Sequence, residues 1–260
     1  LMVEQLKFEI FGDSKEQKPV VIAHGLFGSG RNWRSVAKKI SDLGRKVIVV
    51  DMRNHGSSFW HKSHCYEDLA VDLLDIVTAF GGSADIIGHS MGGKAAMVLA
   101  LLYPECVNKL VVVDIAPVKY FHDQSDYISA MENVNLSLVN NRNDLDRQLA
   151  VTIDDLTLRA FFSQSVKFSQ GNEKKWLLNL SSIKRNLPYI MNFPKLNAEA
   201  LCQSLFMRGS LSHYVSDEYL SSIEKYFPNY QVATIEGAGH WIHAEKLSEF
   251  NHEVIRFLLD

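Results

Sequence analysis

Four short β-branched runs, Val20–His24, Lys46–Asp51, Ala84–Ile87 and Leu110–Asp114, constrain this chain more than any other feature. Each is apolar without alternation, the pattern of a strand covered on both faces of a parallel sheet. Helix-like segments lie between them, near Trp33–Leu43, Tyr66–Phe80 and Ser90–Tyr103. Strands alternating with helices predict βαβ units and a doubly wound α/β fold. Glu4–Phe11 alternates polar and apolar residues, so it is expected at an edge of the sheet.

The rhythm breaks after Asp114. From Ala116 to about Glu199 the chain is polar and helix-like, with no strong strand. It carries amphipathic pieces at Asp144–Ala150, Leu156–Phe168 and Lys174–Ile183, and Pro188 and Pro194 mark its close. A structureless loop of that length would be unusual, so a helical insertion is expected. The strand–helix pattern then resumes with a strand at Ala200–Met207, a helix at Ser216–Phe227, a strand at Tyr230–Ile235 and a helix at Ala244–Leu259. The expected organisation is a mostly parallel sheet flanked by helices, formed by 1–117 and 197–260, with a helical cap at 118–196.

Composition narrows the classes of function. Lys plus Arg is 27 against 30 for Asp plus Glu, so no basic excess meets phosphates and a nucleic-acid partner is not expected. The longest apolar run, Ala95–Tyr103, is half of the roughly 20 residues that a membrane span needs. Glu4, Lys7 and Glu9 fall where a signal peptide would be apolar. Cys65, Cys106 and Cys202 give neither a metal-ligand spacing nor a disulfide framework. A cytoplasmic monomer or small homo-oligomer is expected, with no metal and no organic cofactor.

The sharpest local motif is Gly88-His89-Ser90-Met91-Gly92. Alone it is weak, since about one chain in ten of this length has a Gly-x-Ser-x-Gly by composition. Its setting makes it informative, because it follows the strand at Ala84–Ile87 and opens a helix, as a nucleophile elbow does. The sharp turn strains Ser90, and Gly88 and Gly92 remove the side chains that would clash there. The bland alternative is that Ser90 only caps the helix.

A serine hydroxyl needs a base. Of ten histidines, His240 is the best candidate. It lies in Glu236-Gly237-Ala238-Gly239-His240-Trp241, after the last strand and before the final helix, which keeps the chain order serine, acid, histidine. His243 reads as structural or superficial. The acid is indicated by an absence: the loop after Ala200–Met207 reads Arg208-Gly209-Ser210-Leu211-Ser212-His213, without a carboxylate. Asp114, at the C-terminal end of a strand, is favoured, with Ser212 as a helper whose hydroxyl bridges acid and base. Asp217 is the fallback.

The oxyanion of acyl transfer needs two backbone N–H groups. Met91 is expected to supply one, and Leu26, in the glycine-bearing loop His24-Gly25-Leu26-Phe27-Gly28-Ser29-Gly30, the other. Read as a phosphate loop, that segment lacks the spacing and the lysine. His24 is expected to be a structural hydrogen-bonding residue, and Asp51, Arg53 and His55 to brace neighbouring loops. Phe27, Trp60, Tyr214 and Trp241 are candidates for an acyl pocket, with Trp176 and Phe193 behind them, although core packing is the ordinary role of any one aromatic.

Together the segments His24-Gly25-Leu26-Phe27-Gly28, Asp51-Met52-Arg53-Asn54-His55-Gly56, Gly88-His89-Ser90-Met91-Gly92-Gly93-Lys94, Val113-Asp114-Ile115-Ala116-Pro117 and the stretch from Gly237 to Lys246 are far more specific than the pentamer. Over nearly its whole length the chain resembles the α/β-hydrolase superfamily, and within it the small bacterial esterases of the YbfF type. That resemblance implies an α/β-hydrolase fold and a serine esterase acting on small-molecule esters through an acyl-enzyme. It also implies an acid at Asp114 and a serine at Ser212 completing a tetrad. An acyl-CoA thioesterase or an acyltransferase would use the same groups. A non-catalytic binding protein on this fold would be expected to have lost Ser90 or His240, and both are present.

Overall fold

A computed structural model describes residues 4–169 and 173–260. Residues 1–3, at the head of the expected core, and 170–172, within the expected cap, lie outside the described residues. The chain runs through β1 (Phe8–Phe11), β2 (Val20–Ala23), α1 (Arg34–Ser41), β3 (Val47–Val50), α2 (Tyr66–Ala79), β4 (Ala84–His89), α3 (Met91–Leu102) and β5 (Val107–Val113). An insertion follows, with α4 (Ser125–Glu132), α5 (Arg142–Leu149), α6 (Leu156–Ser163), the paired β6 (Val166–Phe168) and β7 (Lys174–Trp176), and α7 (Leu180–Ile190). It closes with β8 (Gln203–Gly209), α8 (Leu220–Tyr226), β9 (Tyr230–Ile235), α9 (Ile242–Glu245) and α10 (Leu247–Leu259).

One sheet has the order β1-β3-β2-β4-β5-β8-β9. Every pairing in it is parallel except β1 with β3; the first strand lies at the edge, as expected from sequence, and runs antiparallel to its neighbour. The β-branched runs serve both faces at once. Val21, Ala23, Ile48, Val50, Ile86 and Val112 point into one core, shared with α2 and α3. Their neighbours Val20, Ile22, Val47, Val49, Ile87 and Val111 point into the other, with α1 and α10. This is why the runs are apolar without alternation. The order reverses between β2 and β4, and ligands of open α/β sheets bind where such a reversal leaves a crevice at the strand C-termini.

The insertion departs from the all-helical expectation. Leu156–Phe168 is not one helix, since α6 stops at Ser163 and the chain turns into β6. Lys174–Ile183 likewise begins as a strand. Val166 faces Trp176 across the pair while Lys167 faces Lys175, so the alternation that marks these strands is only three residues long. Pro188 does not end the insertion's last helix but sits inside α7 near its C-terminus. The insertion has its own apolar cluster, centred on Ile128, Leu145, Phe162 and Ile183, which also takes in Phe27 from the loop after β2.

Candidate active site

Ser90 occupies a one-residue turn between β4 and α3, with φ +51° and ψ −116°. Its N–H donates to the Val113 carbonyl at 3.0 Å, which fixes the turn against β5. Two glycines make the turn sterically feasible. A Cβ at Gly88 would collide with the Gly92 carbonyl, and one at Gly92 with the Ala23 carbonyl. The loop after β2 approaches closely as well, since a Cβ at Gly25 would lie 2.8 Å from His89 Nδ1 and 3.2 Å from Ser90 Cβ.

Asp114 follows β5, has φ +53° and is fully buried. Its two oxygens accept three hydrogen bonds. Oδ2 accepts from His240 Nδ1–H at 2.7 Å and from the Ser212 hydroxyl at 2.5 Å. Oδ1 accepts from the Gly209 N–H at 3.2 Å. Positive φ at both Ser90 and Asp114, non-glycine residues at adjacent strand ends, is strain of the kind that concentrates at functional sites. His240 rides on the loop after β9, and its carbonyl accepts from His89 Nε2–H at 2.9 Å. Asp217 is not near these groups; it is exposed and pairs with Arg208 at 2.7 Å.

Ser90 and His240 line one cavity of about 240 Å³ beneath the insertion. Leu26, Phe27, Met91, Tyr214 and Trp241 line it too. Trp60 does not: it is 54% exposed and outside the cavity wall. Phe193 is in the main core and Trp176 in the packing of the insertion, so neither reaches the cavity. Among the described residues, the Leu26 and Met91 N–H groups donate no hydrogen bond within the protein, whereas the Phe27 N–H is taken by His55 Nε2 at 3.1 Å. Phe27 has φ +65°, so the backbone reverses just after Leu26.

A family model described as the alpha/beta hydrolase fold matches residues 18–247. The chain belongs to the α/β-hydrolase family. It is 35% identical over 264 residues to the sn-1-specific diacylglycerol lipase ABHD11 of Xenopus tropicalis, covering 98% of this chain and 82% of that protein. It is 35% identical over 243 residues to esterase YbfF of Escherichia coli, covering 93% of each. The solved structure of a marine microorganism esterase superposes with a TM-score of 0.93 at 35% identity, covering 98% of this chain and all of that one.

In this α/β hydrolase several groups that sequence reading did not single out surround the site. Lys94, four residues past Ser90, is buried in the cavity wall. Its Nζ donates to the Met191 and Asn192 carbonyls at 3.3 and 2.8 Å and stands 4.8 Å from the Tyr120 ring centroid. Among the described residues no carboxylate pairs with it, and burial lowers its ammonium to about 7. The carbonyls at the C-terminus of α7 carry the negative end of the helix dipole, which favours the cation there.

Three buried histidines brace the loops, as expected of His24 and His55. His24 Nε2 accepts from the Met52 N–H at 2.9 Å, and His55 Nδ1–H donates to the Arg53 carbonyl at 2.8 Å. His64 Nε2–H meets Met91 Sδ at 3.2 Å. Burial pushes His24 down to about 4 and His55 to about 3, so both are neutral acceptors at neutral pH. Asp51 accepts from the Gly30 and Ser57 N–H groups at 2.8 and 2.9 Å, and Arg53 pairs with buried Asp72 at 2.6 Å. His243 is buried rather than superficial and stacks on Trp33, with centroids 3.9 Å apart.

Proposed function

We propose that Ser90, His240 and Asp114, with Ser212, carry out hydrolysis of carboxylic esters through an acyl-enzyme. The class of enzyme is that of the family and of its named relatives: the chain is a carboxylic ester hydrolase. The observation that carries the assignment of residues is the shared acceptor, Asp114 Oδ2, reached by both His240 Nδ1 and the Ser212 hydroxyl, while His240 and Ser90 face one cavity.

In this reading Ser90 Oγ attacks the ester carbonyl carbon as His240 Nε2 takes its proton. Asp114 holds His240 in the tautomer that leaves Nε2 free and stabilises the imidazolium. The Leu26 and Met91 N–H groups, which have no other acceptor among the described residues, meet the oxyanion. His240 returns the proton to the leaving alcohol, and water repeats the cycle to release the acid. The insertion acts as a cap, 118–196, over the core formed by 1–117 and 197–260. The cavity of about 240 Å³, with Leu26, Phe27, Ile115, Phe161 and Phe162 among its walls, suits a short or medium acyl chain. Three free cysteines suit a reducing compartment, and the cytoplasm is the proposed location.

The test is turnover of nitrophenyl esters from acetyl to palmitoyl, beside acyl-CoA thioesters, with the natural chain and Ser90→Ala. The expected result is an optimum between butyryl and octanoyl, and loss of both turnover and fluorophosphonate labelling in Ser90→Ala with an unchanged Tm. Full turnover by Ser90→Ala would overturn the assignment.

A further inference from the structure

Hydrogen bonds hold His240 at two points, Nδ1 through Asp114 and the carbonyl through His89. The Asp114 bond restrains one edge of the imidazole against the broad, roughly two-fold rotation about its Cβ–Cγ bond, and packing against the ring faces completes the restraint. Tyr214 meets that plane. Its ring stacks on His240 with centroids 4.1 Å apart and planes 27° from parallel.

Tyr214 is itself secured from three sides. Its N–H donates to Ser212 Oγ at 3.3 Å, and its carbonyl accepts from the Tyr120 hydroxyl at 2.5 Å. Its own hydroxyl is bonded to His122 Nε2 at 2.8 Å. His122 lies just before α4, where the chain enters the insertion. One short segment, Ser212 to Tyr214, therefore touches both Asp114 and His240, and its far end is tied to the insertion. Burial and the nearby Asp114 push the phenol up to about 12, so its hydroxyl keeps a proton to donate to His122 at neutral pH. The face of the phenol ring is electron-rich and favours a cation lying against it.

Resting on the assignment of Ser90 and His240 above, we propose that Tyr214 is a positioning residue. Its ring fixes the plane of His240, and so the direction of Nε2 towards Ser90, and its hydroxyl ties that plane to the first segment of the insertion through His122. The ring also supports the imidazolium that forms when Ser90 is deprotonated. Tyr214 thus does more than wall the cavity.

The experiment compares Tyr214→Leu, Tyr214→Phe and His122→Ala with the natural chain, reading kcat and KM on nitrophenyl butyrate and the rate of fluorophosphonate labelling. Labelling with a small probe reports activation of Ser90 with little demand on the acyl pocket. Tyr214→Leu is expected to lower kcat and the labelling rate about tenfold, the upper range for an aromatic pair, with KM within about twofold. Tyr214→Phe keeps the stack and is expected to restore both to within about threefold, and His122→Ala to match it, since each loses only the hydroxyl–imidazole bond. If Tyr214→Leu fails to fold, Tyr214→Met removes the aromatic face and carries the same readouts. The proposal is overturned if Tyr214→Leu changes KM alone, or if Tyr214→Phe loses as much as Tyr214→Leu. A parallel Ser90→Ala separates the cases: its inactivity with an unaffected Tyr214→Leu refutes only the role of Tyr214, whereas its activity refutes the underlying assignment.

Discussion

Asp114→Asn is expected to separate chemistry from stability. Asp114 is fully buried and receives three donors, two at Oδ2 and one at Oδ1. Asparagine has one oxygen, so one site must receive an NH2 group. If the oxygen takes the Oδ2 site, the NH2 group faces the Gly209 N–H and a buried donor is orphaned, at a cost of about 1–3 kcal/mol. If the oxygen takes the Oδ1 site, the NH2 group faces Ser212 Oγ and His240 Nδ1. Ser212 can rotate and accept, and His240 can move its proton to Nε2 and accept as well. The Gly209 N–H and both new NH2 donors are then paired, but the base carries its proton on the atom that must receive one. The second arrangement is favoured, so the fold is preserved while Nε2 can no longer act as base. A wrong tautomer of this kind costs about 10⁴ in kcat in the serine-protease triad, or about 5.5 kcal/mol of transition-state stabilisation. The assay is steady-state hydrolysis of nitrophenyl butyrate with thermal unfolding on the same samples. A drop of at least about 10³ in kcat, with KM within about threefold and Tm little changed, is expected. Turnover within about tenfold of the natural chain, with a collapse in Asp217→Asn instead, would refute the reasoning.

Two further outcomes follow from packing and burial. Gly92→Ala places a Cβ against the Ala23 and His24 carbonyls, which are backbone and cannot yield cheaply, so a large fall in Tm or failure to fold is expected; an alanine variant as stable as the natural chain would show that the turn has slack. Acid should destabilise the protein well above the carboxylate range. His24, lowered to about 4, and His55 and His243, each lowered to about 3, bind protons near pH 6.5 when unfolded but resist them when folded. Their contribution is therefore fully present above pH 6.5 and is lost as pH falls towards 4, on the order of 3 kcal/mol for His24 alone. Tm measured from pH 7.5 to 4.5 should decline steeply below 6.5, and a flat profile would contradict the buried neutral histidines.

The parts of the fold that are legible in sequence are those that depend on neighbours along the chain. Residues bordering β2 to β5 differ by a position or more from the expected limits, but their type and order follow from unbroken β-branched runs. Ser90 is legible because its strand, turn and helix are contiguous. Asp114 emerges from a gap, the missing carboxylate after β8, and its contact with His240 spans 126 positions that no local pattern encodes. The pair β6–β7 escapes notice because three residues are too few to show period two against a helical background. Trp60 attracts attention for its chemistry alone, yet nothing in its local sequence says whether it faces a cavity or water. Lys94 reads as an ordinary residue of a helix until the Met191 and Asn192 carbonyls close over it from the far end of the insertion. Tyr214 reads as a pocket aromatic, and only the tertiary fold sets it parallel to an imidazole.

The insertion leaves the sheet at the end of β5 and rejoins it at β8, and these two strands are direct neighbours, paired from Lys109–Gln203 to Val113–Met207. The ladder is complete without anything between them. Asp114 and the Ser212 loop are therefore registered by one pair of strands, independently of how long the excursion is or what it contains. Descendants of such a chain can exchange, lengthen or redecorate the excursion and alter which molecules are admitted, while the spacing of Asp114 and the Ser212 loop is inherited unchanged from the sheet.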